Sequence, residues 1–222
     1  MNPLLRRIHS DGFADLGELD PDLSRGDAVR DISKSIGATA MVEPQDLVVS
    51  EAGSKRANTY GGNYGLRKLP IHTDLAHWYR PPRYVLLRCI VGAPSVSTLV
   101  LHYRDLEPQV SLALMKRAMF SPRRRLDGKM YLLHMLADQV FRWDELFLVP
   151  KNRPALEVRR LMLDSAERIK PTKFVLERPG QALLIDNWQA LHGRSAVPTA
   201  ATGRRLERIY LEETEDGNED TT

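Results

Sequence analysis

The sequence predicts an α+β fold in which a β-sandwich or jelly-roll core is flanked by helices. Short apolar runs recur at close spacing along the chain, and turn-forming residues separate them. The 14 Gly and 14 Pro are scattered through the 222 residues rather than clustered, which is typical of a fold with many turns. We predict strands over residues 46–50, 69–74, 83–91, 97–102, 173–176, 181–185 and 205–211.

Helical periodicity is confined to three stretches, at residues 27–36, 107–119 and 154–169. Gly37 is placed to end the first of these helices, and Pro154 to begin the last. The chain has no internal repeat and no long linker, so we expect a single domain over residues 1–222, with an N-terminal segment at 1–45. Residues 212–222 are strongly acidic, and this tail is expected to be disordered.

Composition narrows the class of protein. Apolar residues make up 42% of the chain, which is enough for a packed interior. No apolar run is long enough to cross a bilayer, and the N-terminus lacks the apolar segment of a secretion signal. We therefore expect a cytoplasmic protein without a membrane partner. The single cysteine, Cys89, lies in an apolar run and is interpreted as a packing residue.

The charge balance is mildly basic, with a formal net charge of +3 and a pI near 9.0. One concentrated basic run exists, formed by Arg123, Arg124 and Arg125 in a predicted loop. A solvated loop, or a contact with an anionic substrate, is favoured over a nucleic-acid site, because nucleic-acid binders usually carry a more extensive basic patch.

The motif His72-Thr73-Asp74 carries the first indication of chemistry. On an extended chain, residues two positions apart point to the same face, so the imidazole and the carboxylate face one point in space. A third ligand from elsewhere would complete a facial triad of two histidines and one carboxylate. Such a triad leaves open metal positions, as iron(II) oxygenases require. Alone, the motif is more often a polar pair at a strand end.

His192 is the candidate third ligand. It follows a buried apolar strand and a polar turn, and Gly193 comes directly after it. Arg204 and Arg208 follow a turn-rich stretch, so a strand carrying Arg204 can return beside the strand that leads to His192. An arginine at that place could bind the distal carboxylate of a dicarboxylate through two parallel hydrogen bonds.

Taken in order along the chain, these motifs resemble the taurine dioxygenase / clavaminate synthase-like superfamily of Fe(II)/2-oxoglutarate-dependent dioxygenases. The similarity extends from about residue 58 to residue 211. It rests on an ordered set of motifs, which comprises His72-Thr73-Asp74, the strand at 81–89, Thr98, the tract at 186–194 and the arginines at 204–208.

The resemblance implies a double-stranded β-helix (jelly roll) core flanked by helices. It also implies Fe(II) as cofactor, with 2-oxoglutarate and O2 as cosubstrates. His72, Asp74 and His192 would bind the iron and form the catalytic centre. The presence of Asp74 favours hydroxylation or desaturation over the chlorination carried out by related halogenases, which have a small residue at this position.

For the cosubstrate, the resemblance implies that Thr98 and Arg204 bind the distal carboxylate of 2-oxoglutarate. Arg208 would lie near the cosubstrate or near the substrate. One segment departs from the family pattern, because the usual Gly-Gly-x-Thr is Ser95-Val96-Ser97-Thr98 here. The chain is also shorter than most members, so a reduced N-terminal region and substrate lid are expected.

The predicted substrate is a small amino-acid-like or anionic metabolite, converted with release of succinate and CO2. Candidate contacts are Arg208 together with Tyr60, Asn63 and Tyr64 in a Gly-rich loop predicted at residues 51–68, and His77 just after the metal motif. Two alternatives stay open: an inactive jelly-roll binding or scaffold protein, and a nucleic-acid demethylase of the same broad fold. The sequence also leaves open a homo-oligomer.

Overall fold

The computed structural model describes residues 2–20, 25–41, 43–49, 59–126 and 128–213. The predictions for the segment at 51–58 and for the acidic tail from 214 onward lie outside the described residues. Residues 212 and 213, which were expected to belong to that tail, instead form the end of the last strand. Within the described ranges, no helix is both long and apolar enough to cross a membrane.

The described helices are α1 (Pro3–Asp11), α2 (Arg25–Ile36), α3 (Tyr60–Tyr64), α4 (Leu112–Arg117) and α5 (Arg153–Ser165). Among the described residues, side chains cap the N-termini of α1, α3, α4 and α5. Asn2 accepts a hydrogen bond from the Leu4 N–H at the first helix, and Asn152 accepts one from the Ala155 N–H at the last. Gly12, with a φ of 80°, ends the first helix in the left-handed conformation.

The helix predicted over 107–119 is wrong in extent. A 3₁₀ turn covers Tyr103–Leu106, and α4 begins only after Ser111, whose hydroxyl caps the Leu114 N–H. Ala118 is extended and leads into a strand at Met119–Pro122, because pairing with neighbouring strands takes over from the helical pattern there. The last predicted helix ends at Ser165 rather than at residue 169.

The strands are mostly short and all observed pairs are antiparallel. They are β1 (Phe13–Glu18), β2 (Ala38–Ala40), β3 (Gln45–Val48), β4 (Leu69–His72), β5 (Tyr84–Val91), β6 (Ser97–His102), β7 (Met119–Pro122), β8 (Leu133–His134), β9 (Leu136–Ala137), β10 (Val140–Phe141), β11 (Leu148–Pro150), β12 (Thr172–Val175), β13 (Gln181–Asp186), β14 (Ala190–Arg194) and β15 (Arg205–Glu213).

Two antiparallel sheets face each other and form the core. The larger has the order β1-β13-β5-β15-β2, with β3 also paired to β15, and the smaller has the order β12-β6-β14-β4. Val85 and Ile185 of the larger sheet pack against Val100 of the smaller sheet in one buried cluster. This arrangement of two facing sheets with flanking helices confirms the predicted α+β jelly-roll fold.

The strand β5 shows why its sequence is apolar throughout. Val85 and Leu87 point toward the smaller sheet, whereas Tyr84 and Leu86 pack on the other face against α1 and α2. Both faces of β5 are therefore buried, and each fully buried aliphatic side chain contributes about 1.5–3 kcal/mol.

The outer face of the smaller sheet is covered as well. Leu101 of β6 and Leu191 of β14 pack into a cluster with Met115 of α4 and Val158 of α5. A small sheet of order β11-β7-β8 supplies Phe120 to the same cluster. The smaller sheet is thus held between two apolar layers, and its strands are fixed in position.

Candidate metal centre

Two neighbouring strands of the smaller sheet bring the predicted histidines together. His72 is the last residue of β4, and its direct partner in the antiparallel pairing with β14 is His192. As expected, His192 follows a buried strand and a turn, and it lies within the next strand, β14. Asp74 follows two residues beyond the end of β4. One ligand atom from each of the three residues lies within 4.8 Å of the other two.

A close approach of β4 and β14 is needed for this convergence, and Gly193 permits it. A Cβ at this position would lie 2.6 Å from the Leu69 carbonyl oxygen and 3.0 Å from that of Pro70. No side chain can therefore be accommodated between the two strands at this point. The close packing of β4 against β14 therefore explains why a glycine directly follows His192.

The donor atoms are arranged for a metal ion. Asp74 Oδ1 lies 3.4 Å from His72 Nε2, and Asp74 Oδ2 lies 3.5 Å from His192 Nε2. The Nδ1 of His72 is 2.9 Å from the Pro70 carbonyl oxygen, which requires Nδ1 to carry the proton and leaves the Nε2 lone pair free. Two imidazole nitrogens and one carboxylate form the donor set that suits iron(II).

Burial and charge pull the pKa values of the ligands in different directions. Burial lowers the pKa of His192 and outweighs the nearby Asp74 carboxylate. Burial acts the same way on His72, but the adjacent Asp74 carboxylate and the charge of Asp144 favour the protonated imidazolium and outweigh burial, so the pKa of His72 is raised. For Asp74, burial is outweighed by the Arg208 guanidinium and the histidines, and its pKa is held well below its usual value.

The backbone around Asp74 is held by Asn187, which was not predicted to be a site residue, and by Trp143. The side chain of Asn187 hydrogen-bonds both the N–H and the C=O of Asp74, at 2.7 and 2.9 Å. Thr73 exchanges hydrogen bonds with Trp143, because its N–H donates to the Trp143 carbonyl and its hydroxyl accepts from the Trp143 N–H. A polar residue directly after a buried strand, as Asn187 is, was the available signal.

A cavity of about 300 Å³ opens in front of the three ligands. It lies between the two main sheets. Both the predicted metal ligands and residues predicted to bind the cosubstrate or the substrate line it. Besides the candidate ligands, the predicted site residues that line it are Tyr60, Tyr64, Thr98, Arg204 and Arg208.

Arg204 and Thr98 meet across this cavity. The Arg204 guanidinium donates to the Thr98 hydroxyl at 3.3 Å, which links the residue directly before β15 of the larger sheet to β6 of the smaller. No carboxylate among the described residues pairs with Arg204, and its Nε is buried without a partner. Burial, with a smaller effect of the Arg194 charge, lowers the pKa of Arg204 to about 10. A buried guanidinium facing a cavity fits an incoming carboxylate.

The route by which Arg204 reaches this place differs from the expectation. The strand β15 does not lie beside β13, which leads to His192, because β5 lies between them. Arg204 reaches the cavity because the two sheets face each other, and not because β15 pairs with the strand that leads to His192.

Arg208 binds the candidate metal ligand itself. It donates to Asp74 Oδ2 at 3.0 Å and to the Gln45 side-chain oxygen at 2.7 Å, and its guanidinium lies 4.9 Å from the Tyr210 ring centroid. Arg208 therefore lines the cavity next to the metal ligands, farther along β15 than Arg204.

The two tyrosines predicted to contact substrate both line the cavity, but not from a loop. Residues Tyr60–Tyr64 form the short helix α3, capped by Thr59, and this corrects the loop predicted over 51–68. The Tyr60 ring lies 4.3 Å from the His72 ring, and its hydroxyl donates to Asp144. The Tyr64 hydroxyl donates to Glu145 at 2.7 Å.

Asn63 and His77 do not line the cavity. The Asn63 Nδ2 donates to the Thr59 carbonyl at 2.9 Å, across one turn of α3. The His77 ring packs 5.2 Å from the Phe147 ring. Burial lowers the pKa of His77.

Two predicted features lie apart from the site. Arg123, Arg124 and Arg125 are exposed and line no part of the cavity. Cys89 is buried in the cluster between the sheets, as expected for a packing residue, and burial raises its pKa.

Compared by sequence, the chain matches no family model and no curated protein. Compared by structure, it resembles solved non-haem iron oxygenases. An asparagine oxygenase in complex with Fe(II), 2S,3S-3-hydroxyasparagine and succinate is 18% identical, and the match covers 93% of this chain and 77% of that chain with a TM-score of 0.70. The oxygenase OrfP in complex with Fe, succinate and (3S)-hydroxy-L-Arg is 16% identical, with 96% and 79% covered and a TM-score of 0.67.

A second structure of an asparagine oxygenase, AsnO, is 16% identical, with 95% and 77% covered and a TM-score of 0.68. At these identities the likeness establishes the fold. The chain has the jelly-roll fold of the non-haem iron oxygenases, and the resemblance predicted from its motifs is confirmed at that level.

Proposed function

We propose that this chain is an Fe(II)- and 2-oxoglutarate-dependent dioxygenase that hydroxylates or desaturates a small amino-acid-like or anionic metabolite. One observation carries the proposal: a buried His72–Asp74–His192 cluster shares a single cavity with Arg204, whose guanidinium has no carboxylate partner among the described residues. The cluster fits iron(II), and the arginine fits the far end of a dicarboxylate.

Each part of the cosubstrate site has a residue assigned to it. His72, Asp74 and His192 would hold iron(II), which with 2-oxoglutarate and O2 supplies the oxidising chemistry and releases succinate and CO2. Arg204 would bind the distal carboxylate of 2-oxoglutarate, and the Thr98 hydroxyl would keep the guanidinium oriented. Since the Arg204 guanidinium and the Thr98 hydroxyl are already in contact at 3.3 Å, the end of the site that would bind the distal carboxylate is preorganised.

The substrate class is proposed from the remaining charges of the cavity. Arg208 reaches the cavity beside Asp74, and Arg194 lines it while bonding the carbonyls of Gly65 and Arg67. These cations favour a substrate that carries a carboxylate. The likeness to oxygenases whose structures contain hydroxylated asparagine or arginine supports an amino-acid-like substrate. Tyr60 and Tyr64 would contact it from α3.

The proposal includes a cytoplasmic, single-domain enzyme that acts on a small molecule rather than on nucleic acid. The exposed run at 123–125 lines no part of the cavity, which favours a solvated loop over a role in substrate binding. The number of copies in the assembly is left open.

Succinate formation tests the proposal. The full chain is incubated with Fe(II), 2-oxoglutarate and O2, with a panel of amino acids and small carboxylates, and succinate and oxidised product are measured. We expect at least one amino-acid-like compound to raise succinate formation stoichiometrically with its oxidation, and Asp74→Ala to abolish both. Wild-type protein that binds Fe(II) yet forms no succinate with or without any compound would favour the scaffold alternative.

A further inference from the structure

We propose that Asn187 is a positioning residue of the metal centre. Its side chain fixes the orientation of Asp74 and links Asp74 by hydrogen bonds to the turn that leads to His192. The inference rests on the proposed iron-binding function and adds a residue that acts through Asp74 rather than on the metal. It is carried by hydrogen bonds that leave no polar atom of the Asn187 side chain without a partner.

The amide of Asn187 is fully used. Its Oδ1 accepts from the Asp74 N–H at 2.7 Å, and its Nδ2 donates to the carbonyls of Asp74 and Pro82 at 2.9 and 3.0 Å. The residue is 0% exposed. A side chain that bonds both the N–H and the C=O of one residue replaces the neighbour that a strand would have in a sheet.

Asp74 needs such a neighbour because it lies outside any strand. The strand β4 ends at His72, and Leu75 has a φ of 53°, in the left-handed region. Asp74 thus lies between the end of a strand and a sharp change of chain direction. Without Asn187, the buried N–H and C=O of Asp74 would both lack a partner among the described residues, and rotation of the peptide would carry the carboxylate away from His72 Nε2.

The same amide couples the metal ligands that come from different parts of the chain. Asn187 lies in the turn between β13 and β14, and β14 carries His192. This turn is itself anchored, since the Asn187 N–H donates to the Arg83 carbonyl at 2.7 Å and Trp188 Nε1 donates to the Pro81 carbonyl at 2.9 Å. Movement of the turn would therefore displace Asp74 and His192 relative to each other.

The test is anaerobic Fe(II) binding to the full chain, measured by competition with a chromogenic chelator, with urea unfolding of the metal-free protein alongside. For Asn187→Ala we expect Fe(II) to bind about 10- to 100-fold more weakly, the usual effect of removing a residue that orients a metal ligand. The matched control is Trp188→Phe, which removes one hydrogen bond from the same turn to the same segment without contacting Asp74. Its Fe(II) affinity should stay at the wild-type value.

Asn187→Asp tests whether the change makes Fe(II) binding weaker or tighter. It becomes the deciding variant if Asn187→Ala does not fold. The substitution keeps size and shape, but it places an oxygen against the carbonyls of Asp74 and Pro82. Added negative charge alone would tighten the binding of a cation, whereas loss of positioning weakens it, and we expect weaker binding.

The outcomes separate the two proposals. Folded Asn187 variants that bind Fe(II) as tightly as the wild type would overturn the inference. An equal loss in Trp188→Phe would also overturn it, because the effect would then be one of turn stability. If the wild type itself binds no Fe(II), the proposed function fails instead.

Discussion

At the scale of single residues, Arg204 shows how charge indicates a ligand. Removing a guanidinium from water is unfavourable unless an opposite charge compensates it. Thr98 offers only a neutral hydroxyl, and Arg194 nearby adds a second positive charge. A dianionic cosubstrate would supply the missing compensation, and the interaction would be strong because the site is largely shielded from solvent.

We predict that Arg204→Ala weakens the binding of 2-oxoglutarate to the Fe(II) form of the protein. Removal of one partner from a buried charge pair typically costs about 2–5 kcal/mol, which corresponds to at least about 30-fold in Kd. Anaerobic titration of the Fe(II) protein with 2-oxoglutarate measures it.

The neighbouring exposed arginine offers the matched control. Arg205 precedes the buried Leu206 on β15 and points to solvent. Arg205→Ala should leave the Kd for 2-oxoglutarate unchanged. Equal affinity of the Arg204→Ala and Arg205→Ala proteins for 2-oxoglutarate would contradict the assignment of Arg204.

The residues of the site differ in how far the sequence could predict them. His72 and Asp74 were accessible because residues two apart on an extended chain share a direction, although β4 ends at His72 and Asn187 holds the backbone of Asp74. Asn187 was not, because its role is a pair of hydrogen bonds to Asp74, far away along the chain. Asn63 was predicted to be in the site because α3 was interpreted as a loop, whereas in the helix its side chain bonds the Thr59 carbonyl.

At the scale of elements, the contact between β4 and β14 determines the metal geometry. Gly193 lets the backbone of β4 approach to a distance that excludes a Cβ. The pairing of His72 with His192 depends on this approach, so a side chain at 193 must displace the strand that carries one ligand.

Gly193→Ala should therefore lower the free energy of unfolding and weaken Fe(II) binding together. Overpacking of this kind typically costs about 1–3 kcal/mol, and urea unfolding with parallel Fe(II) titration measures both effects. Gly203→Ala is the control, because a Cβ there meets no atom within 4 Å. Unchanged Fe(II) affinity in Gly193→Ala would show that the close approach is not required for the metal site.

Half of the described helices and strands were predictable from local pattern, and their ends were less so. The elements that were not predicted are α1, α3, β1, β2, β7, β8, β9, β10, β11 and β14. The apolar run of β5 is continuous because both of its faces are buried, and it was recognised as a strand for that reason. The helix predicted over 107–119 failed because Ser111 starts a new helix and β7 begins at Met119. Strand order is set by tertiary pairing, so the position of β5 between β13 and β15 carries no local signal.

At the scale of the whole molecule, the site lies where the two sheets face each other. The smaller sheet supplies His72, His192 and Thr98, and β15 of the larger sheet brings Arg208, with Arg204 directly before it. The ligands, the arginine and the threonine thus meet only in the complete jelly roll. The order of motifs along the chain indicated this meeting through family resemblance, while spacing alone could not have placed them in one cavity.

The most direct test of the central claim is the visible spectrum of the full chain with Fe(II) and 2-oxoglutarate in the absence of oxygen. Cosubstrate bound to iron held by His72, Asp74 and His192 should give the wild type a weak charge-transfer band. The band should be absent in His72→Ala and in Asp74→Ala. Folded variants that retain the band, or a folded wild type that lacks it, would contradict the assignment of this metal centre.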